Sequence, residues 1–348
     1  MIAEFKKRIL KFKFRAGTSR GILTEKPSWF IVVRNEEQGE IIAIGECALL
    51  PGLSFDDKSG YEGKLQKVIR YINKHQTPDY PGDLAEWPSI RFGVEMLKKS
   101  LSTPDKFLFY ESPFTEGKKP IPINGLIWMG EKQFMFEQIK QKIDEGWQCI
   151  KIKIGAIDFN EELDLLKYIR KQFSARDIQL RVDANGAFKP DEALEKLKRL
   201  SEFDLHSIEQ PVKAGQINTM AYLCEHSPLD IALDEELIGI FDYREKYDLL
   251  KHIKPQYIVL KPSLVGGWQA SQEWIEAAEK SGAGYWITSA LESNIGLNAI
   301  AQWTAILDND MIHGLGTGKL YTNNFNSPLV VNKGFLSYDK EKEWEINI

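Results

Sequence analysis

Residues 150–155 read IKIKIG, and the fold turns on where this segment lies. Ile150, Ile152 and Ile154 fall on one face of a strand, Lys151 and Lys153 on the other. At the surface the two lysines would need nothing. In the interior each ammonium would need partners, because a charge taken out of water is costly unless it is paired. An exposed hairpin edge and a buried parallel strand are both open on this segment alone.

The neighbouring sequence repeats the pattern. From Ile121 onward, short apolar runs (IPING, QCIKIKIG, IQLRVDAN, LHSIEQP, IALDEE, YIVLKPS, YWITSA and MIHGLG) alternate with amphipathic stretches such as FMFEQIKQKIDEG and DEALEKLKRLS. Alternation of this kind implies parallel strand pairing. Eight such units predict an α/β fold, a closed (β/α)8-type barrel over residues 116–324 rather than an open doubly wound sheet. The nucleotide signatures GxGxxG after the first strand and GxxxxGKS/T are missing. Residues 1–115 read differently. Strand-like KRILKFKFR, SWFIVVRN and EIIAIGECALL precede helix-like GYEGKLQKVIRYINKH and PSIRFGVEMLKKSLS, which predicts a smaller α+β domain.

Composition narrows the function. The chain is 43% hydrophobic and 27% charged, as expected of a globular protein, and its formal charge of -5 argues against a nucleic-acid partner. No apolar run approaches the roughly 18–20 residues that span a membrane, and the N-terminus lacks a signal-peptide pattern. Cys47, Cys149 and Cys224 are scattered, which excludes a disulfide framework and a thiolate zinc site and fits a cytoplasmic protein. The histidines are dispersed too. Any metal would have to be held by oxygen.

Oxygen ligands are found at the strand ends. Lys153, Asp183, Glu209, Asp234 and Lys261 follow one another at intervals of one strand–helix unit, so five successive strands deliver an ionisable group to the C-terminal mouth. One such carboxylate is ordinary and more often caps a helix. Three in a row between two lysines form a site. Converging carboxylates need a cation, and all-oxygen ligation with open positions suits Mg2+, with Mn2+ as a substitute. The lysines would welcome an anionic small molecule, and Lys151 lies one step deeper on the same face. A lysine with its ordinary pKa of about 10.4 is a poor base at neutral pH, so neighbouring cations and desolvation are expected to lower it.

K-x-K on the second strand, acids ending the third to fifth and lysine ending the sixth resemble the enolase superfamily, muconate-lactonizing subgroup. The resemblance implies an α+β capping domain over the barrel mouth, formed by residues 1–115 together with C-terminal residues 325–348. It implies that Asp183, Glu209 and Asp234 hold Mg2+, and that Lys153 is the general base and acid. Lys261 would stabilise the anion from across the substrate, with Asn185 and Arg181 supporting. Glu235 is expected to face away, since successive strand residues point opposite ways.

RAGTSRG (15–21), ECALLPGLSF (46–55), SIRFGVEML (89–97) and PINGLIWMG (122–130) resemble the dehydratase branch of that subgroup. That branch is a hydro-lyase of menaquinone biosynthesis. The implied reaction is syn-dehydration of 2-succinyl-6-hydroxy-2,4-cyclohexadiene-1-carboxylate, a dicarboxylate, to 2-succinylbenzoate. Candidates to bind the substrate are Lys151, Ser289, the backbone near Gly314, Leu315 and Gly316, and Thr18, Ser19 and Arg20 of the cap loop. N-succinylamino acid racemisation stays open as an alternative, because both lysines suit it. A dipeptide epimerase would carry Asp-x-Asp where HGLGTG (313–318) has no acid, and a non-catalytic barrel would have lost a ligand or a lysine. The oligomeric state is not legible.

Overall fold

The computed structural model describes residues 1–18, 21–307 and 309–348. Strands β1 (Ile2–Thr18), β2 (Gly21–Arg34) and β3 (Ile41–Cys47) form an antiparallel sheet, followed by helices α1 (Tyr61–His75) and α2 (Pro88–Leu101). Alternation along β2 gives the sheet two apolar faces. Trp29, Ile31 and Val33 pack with Leu65, Val68, Ile72 and Leu97 of the helices. Phe30 and Val32 pack instead with Ile44, Phe107, Ile295 and Phe325. The helix lies close on the sheet because Gly45 and Gly93 meet there; a Cβ on Gly45 would come within 2.0 Å of the Gly93 carbonyl oxygen.

The barrel wall begins after β4 (Ile121–Pro122). It runs β5 (Gly125–Ile127), α3 (Lys132–Asp144), β6 (Cys149–Lys153), α4 (Phe159–Arg170), β7 (Gln179–Asp183), α5 (Pro190–Ser201), β8 (Ser207–Glu209), α6 (Ile217–His226) and β9 (Ile231–Leu233). It continues through α7 (Tyr243–Ile253), β10 (Tyr257–Leu260), the single turn α8 (Pro262–Val265), α9 (Gly267–Ser281), β11 (Gly284–Ile287) and α10 (Asn294–Ile306). Among the described residues, seven strands from β5 to β11 form one sheet in sequence order. Aliphatic residues facing outward, among them Ile150, Ile152, Leu180, Val182, Ile208, Leu233 and Ile258, bury against the helices. Each such side chain contributes about 1.5–3 kcal/mol, so the wall is held from outside and its inner face can carry charge.

Two expected strands differ from the sequence reading. The first barrel strand is Gly125–Ile127; Ile121–Pro122 pairs outside the barrel with Leu336 and Phe335. The run MIHGLG forms no strand. It closes the ring through two isolated bridges, Ile123 with His313 and Thr288 with Gly314. The Asn124 amide donates to the His313 carbonyl (2.9 Å) and the Gly314 amide to the Ile287 carbonyl (2.8 Å). Alternating glycines at 314, 316 and 318 supply no side chains to pack, which weakens a strand.

The C-terminal region is divided. Strands β12 (Leu329–Asn332) and β13 (Phe335–Tyr338) form a small antiparallel sheet with β4, beside the barrel. Beyond it, Trp344 stacks on Phe107 with ring centroids 4.2 Å apart, and Ile346 and Ile348 join the Phe30 cluster. The last residues therefore reach the N-terminal sheet, while the hairpin before them belongs to the barrel side.

Candidate active site

The IKIKIG segment is a buried strand. Every residue of β6 is buried, and its lysines have the partners that burial demands. Lys153 Nζ donates to Asp183 Oδ2 (2.9 Å) and Asn185 Oδ1 (2.6 Å). Lys151 Nζ donates to Glu209 Oε2 (2.7 Å) and reaches Asp183 Oδ2 at 3.4 Å. Parallel register aligns Lys153 with Asp183 and Asp183 with Glu209, so neighbouring strands present them in one row. On the far side of the acids, Lys261 Nζ donates to Asp234 Oδ2. The order around the ring is lysine, three carboxylates, lysine.

Local backbone fixes these groups. After Lys153 the chain turns at Gly155 (φ 95°), where a Cβ would lie 2.4 Å from Ala187 Cβ. Glu162 Oε1 accepts the Gly155 amide at 2.6 Å and holds that turn. Asn185 and Gln210, just past Asp183 and Glu209, both have positive φ (44° and 38°), a strained conformation of the kind found at functional sites. Gln210 Oε1 accepts the amides of Asp234 (3.1 Å) and Glu236 (3.2 Å), tying the end of β8 to that of β9.

One oxygen from each of Asp183, Glu209 and Asp234 lies within 4.8 Å of the others, and all three residues are buried. Burial pushes the Glu209 carboxyl up to about 7, Lys151 opposing and the neighbouring acids adding to the rise. Burial would also raise Asp183, but Lys153, Lys151 and Lys261 outweigh it and hold the carboxyl well below the usual range. Without a cation in place, Lys151 and Lys261 both stand above the ordinary lysine range. Burial acts to lower both, yet Glu209 and Asp183 raise Lys151, and Asp234 and Glu235 raise Lys261. Glu209 Oε1 is buried without a hydrogen-bond partner, a costly arrangement for an acceptor. Three hard oxygen donors, one of them unsatisfied, fit a divalent cation.

Above this floor opens a cavity of about 700 Å³, lined by Lys151, Lys153, Asp183, Asn185 and Lys261 below and by Phe14, Leu23, Leu50, Leu53, Trp128 and Leu291 around its wall. The wall joins residues of the N-terminal domain to residues of the barrel, as a cap over the mouth requires. Sequence reasoning left Phe14, Trp128 and Gln210 unassigned. ECALLPGLSF and PINGLIWMG contain Leu50, Leu53 and Trp128, but nothing in them marks which side chains turn inward.

The remaining expected residues separate. Asn185 joins Lys153 to Glu235, donating from Nδ2 to Glu235 Oε1 (2.9 Å). Arg181 lies below the row, its Nη1 on the Ile312 carbonyl (2.8 Å) and its guanidinium over Trp286 (4.3 Å). Ser289 and Gly314 both line the cavity, but their polar groups are already engaged. The Ser289 hydroxyl donates to Glu292 Oε2 (2.6 Å) and accepts from Thr317 Oγ1 (2.8 Å) and the Leu291 amide (3.0 Å). The Gly314 amide serves barrel closure, and Leu315 is buried in the core. Gly316 lines the cavity. Ser19 and Arg20 lie outside the described residues, as does the Thr18 side chain. His313 Nδ1 accepts the Ile287 amide (3.1 Å); burial pushes this ring down to about 4, so it stands neutral as a structural acceptor.

A capped barrel with this ring of acids and lysines defines a class, and residues 135–341 match the family described as enolase C-terminal domain-like. The chain belongs to that family. It is 46% identical over 97% of its length to the o-succinylbenzoate synthase of Desulfotalea psychrophila, covering 98% of that protein. The crystal structure of MenC from Desulfotalea psychrophila superposes with a TM-score of 0.83 at 43% identity, over 97% of this chain and 99% of that one. The L-Ala-D/L-Glu epimerase of Bacillus subtilis superposes with a TM-score of 0.81 over 97% and 96% of the two chains. At 17% identity that likeness is one of fold alone. Among the described residues no helix is long and apolar enough to cross a membrane.

Proposed function

We infer that this chain is a carbon–oxygen lyase with o-succinylbenzoate synthase activity, removing water from 2-succinyl-6-hydroxy-2,4-cyclohexadiene-1-carboxylate to give 2-succinylbenzoate. The observation that carries the reading is full-length likeness to such a synthase combined with an intact ring of two lysines and three buried carboxylates. Asp183, Glu209 and Asp234 are assigned the cation, with Mg2+ the ion proposed and Mn2+ a substitute. When bound, the ion supplies Lewis-acid stabilisation of the charge that grows on the substrate carboxylate.

The protein's own groups handle the proton. Lys153, as the free amine, takes the hydrogen alpha to the ring carboxylate and becomes the ammonium; the C–H electron pair moves toward the carboxylate as charge builds. That pair then returns to form the new ring C=C bond as the C–O bond to the hydroxyl breaks. Lys153 gives the proton to the departing hydroxide, the ring becomes aromatic, and water leaves. Lys261 faces the developing anion from the opposite side, where a cation near a six-membered π system is favourable. Asn185 holds the Lys153 ammonium through its 2.6 Å contact. The apolar side chains of Leu50 and Trp128 in the wall lower the local dielectric, which strengthens each of these charge interactions. A soluble dicarboxylate substrate and a cytoplasmic setting in menaquinone synthesis accompany this reading.

The test is turnover with the cyclohexadiene substrate beside a panel of N-succinylamino acids, with and without Mg2+. The reading expects aromatisation of the first and much slower exchange at the alpha carbon of the others. Rapid racemisation of the amino acids with no dehydration would overturn it.

A further inference from the structure

A second buried charge cluster lies outside the ring of lysines and acids. Lys26 of β2, Glu46 of β3 and Glu292 of the β11–α10 loop are each fully buried. Lys26 Nζ donates to Ser28 Oγ (3.2 Å), and Ser28 Oγ to Glu46 Oε1 (2.7 Å). Glu46 crosses from the cap to the N-terminus of α10. There it accepts the Ser293 hydroxyl (2.6 Å) and the amides of Ser293 (3.0 Å) and Gly296 (2.8 Å). Glu292 accepts hydrogen bonds from Ser263 Oγ and Ser289 Oγ, at 2.5 and 2.6 Å. Lys26 feels the charge of both carboxylates.

Stability alone explains this poorly. A buried group of two acids and one ammonium is seldom better than apolar residues of equal volume. Its connections are more informative. Ser263 stands two residues past Lys261, in the turn α8 that fixes that lysine; Ser289 belongs to the cavity wall. The same β2 strand runs back to Leu23, on the cavity's cap side. One cluster therefore joins the cap, the Lys261 turn and the loop after β11. We propose that Lys26, Glu46 and Glu292 are positioning residues, a latch that sets the Lys261 turn against the capped cavity and is required for turnover more than for substrate binding. This rests on the assignment of Lys261 to the reaction.

The test is Glu292→Gln, alone and with Lys26→Met, measured against the parent protein. In the single variant kcat should fall about 10–100-fold with KM changed less than about threefold, as expected when a reacting group is displaced. The double variant leaves buried Glu46 without its ammonium and should lose further thermal stability, with kcat close to that of the single variant, because groups that act as one unit are not additive and Ser263 and Ser289 are already unheld. Unchanged kcat in a folded Glu292→Gln protein, or a return of the double variant to the parent kcat, would overturn the latch. Should Glu292→Gln fail to fold, Ser263→Ala decides in the same way, with about a fivefold or greater loss of kcat expected. Hydrogen exchange separates this from failure of the functional reading. The Leu264 and Val265 amides, which donate to the Lys261 carbonyl, should exchange at least about tenfold faster in the variant. A parent protein without turnover defeats the assigned function; unchanged exchange at those amides defeats the latch.

Discussion

Single residues divide the work of metal holding from that of proton transfer. Lys153→Ala should lower turnover by about 10²–10⁴-fold or more while titration calorimetry finds cation binding largely intact. Retained turnover would remove Lys153 from the role of base. Asp234→Asn should weaken cation affinity at least as much as losing a supporting partner does, roughly 10–100-fold. Normal affinity in that variant would move suspicion to Glu235, which in the structure bonds Asn185 instead. The ionisable residues were legible because each ends a strand whose outer face is marked by aliphatic alternation. Ser289 was not. Its hydroxyl is engaged by Glu292 and Thr317, and a partner 28 residues away leaves no trace in local sequence.

Among the elements, the β6–α4 turn combines a positive φ with a close contact. Gly155→Ala would force a side chain into positive φ and against Ala187. A cost of about 1–3 kcal/mol is expected, seen as a lower midpoint in denaturant, with turnover reduced because Lys153 sits two residues away. An unaffected midpoint would mean that the turn relaxes freely. Six of the barrel strands were legible as apolar runs between amphipathic helices. The ends of the barrel were not. IPING shows an apolar run but not that Ile121–Pro122 pairs with β13 while Gly125–Ile127 enters the wall. HGLGTG keeps backbone pairing at His313 and Gly314 without the side chains that make a strand. Alternation reports packing, and closure by backbone alone has no packing signature.

Over the whole molecule, folding and cation binding should be linked through Glu209. Its carboxyl rises from 4.5 to about 7 on burial. The folded, cation-free protein therefore holds that proton more tightly than the unfolded chain. The stability this contributes is fully present below about 4.5 and is lost as pH rises through about 7. A cation competes for the same oxygens, so its affinity should climb with pH to about 7 and then level, and the rise in Tm at saturating Mg2+ should be larger at pH 8 than at pH 5. The reverse trend would mean that the ion is held elsewhere. The division into barrel and smaller α+β domain was legible from the change in pattern near Ile121. The closeness of the cap to the mouth was not, since it depends on contacts such as Glu46 with Ser293, 247 residues apart.

Acids and lysines distant in sequence are proposed to meet around one cation and take a proton from a carboxylate substrate. Turnover of the cyclohexadiene dicarboxylate, followed by the absorbance of the aromatic product, tests this most directly. It should be measured before and after chelation and again on restoring Mg2+. Activity that vanishes with the chelator, returns with the ion and is absent from Lys153→Ala at every Mg2+ concentration is the predicted result. Full activity in the chelated protein, or in Lys153→Ala, would rule out a cation-assisted proton transfer by Lys153.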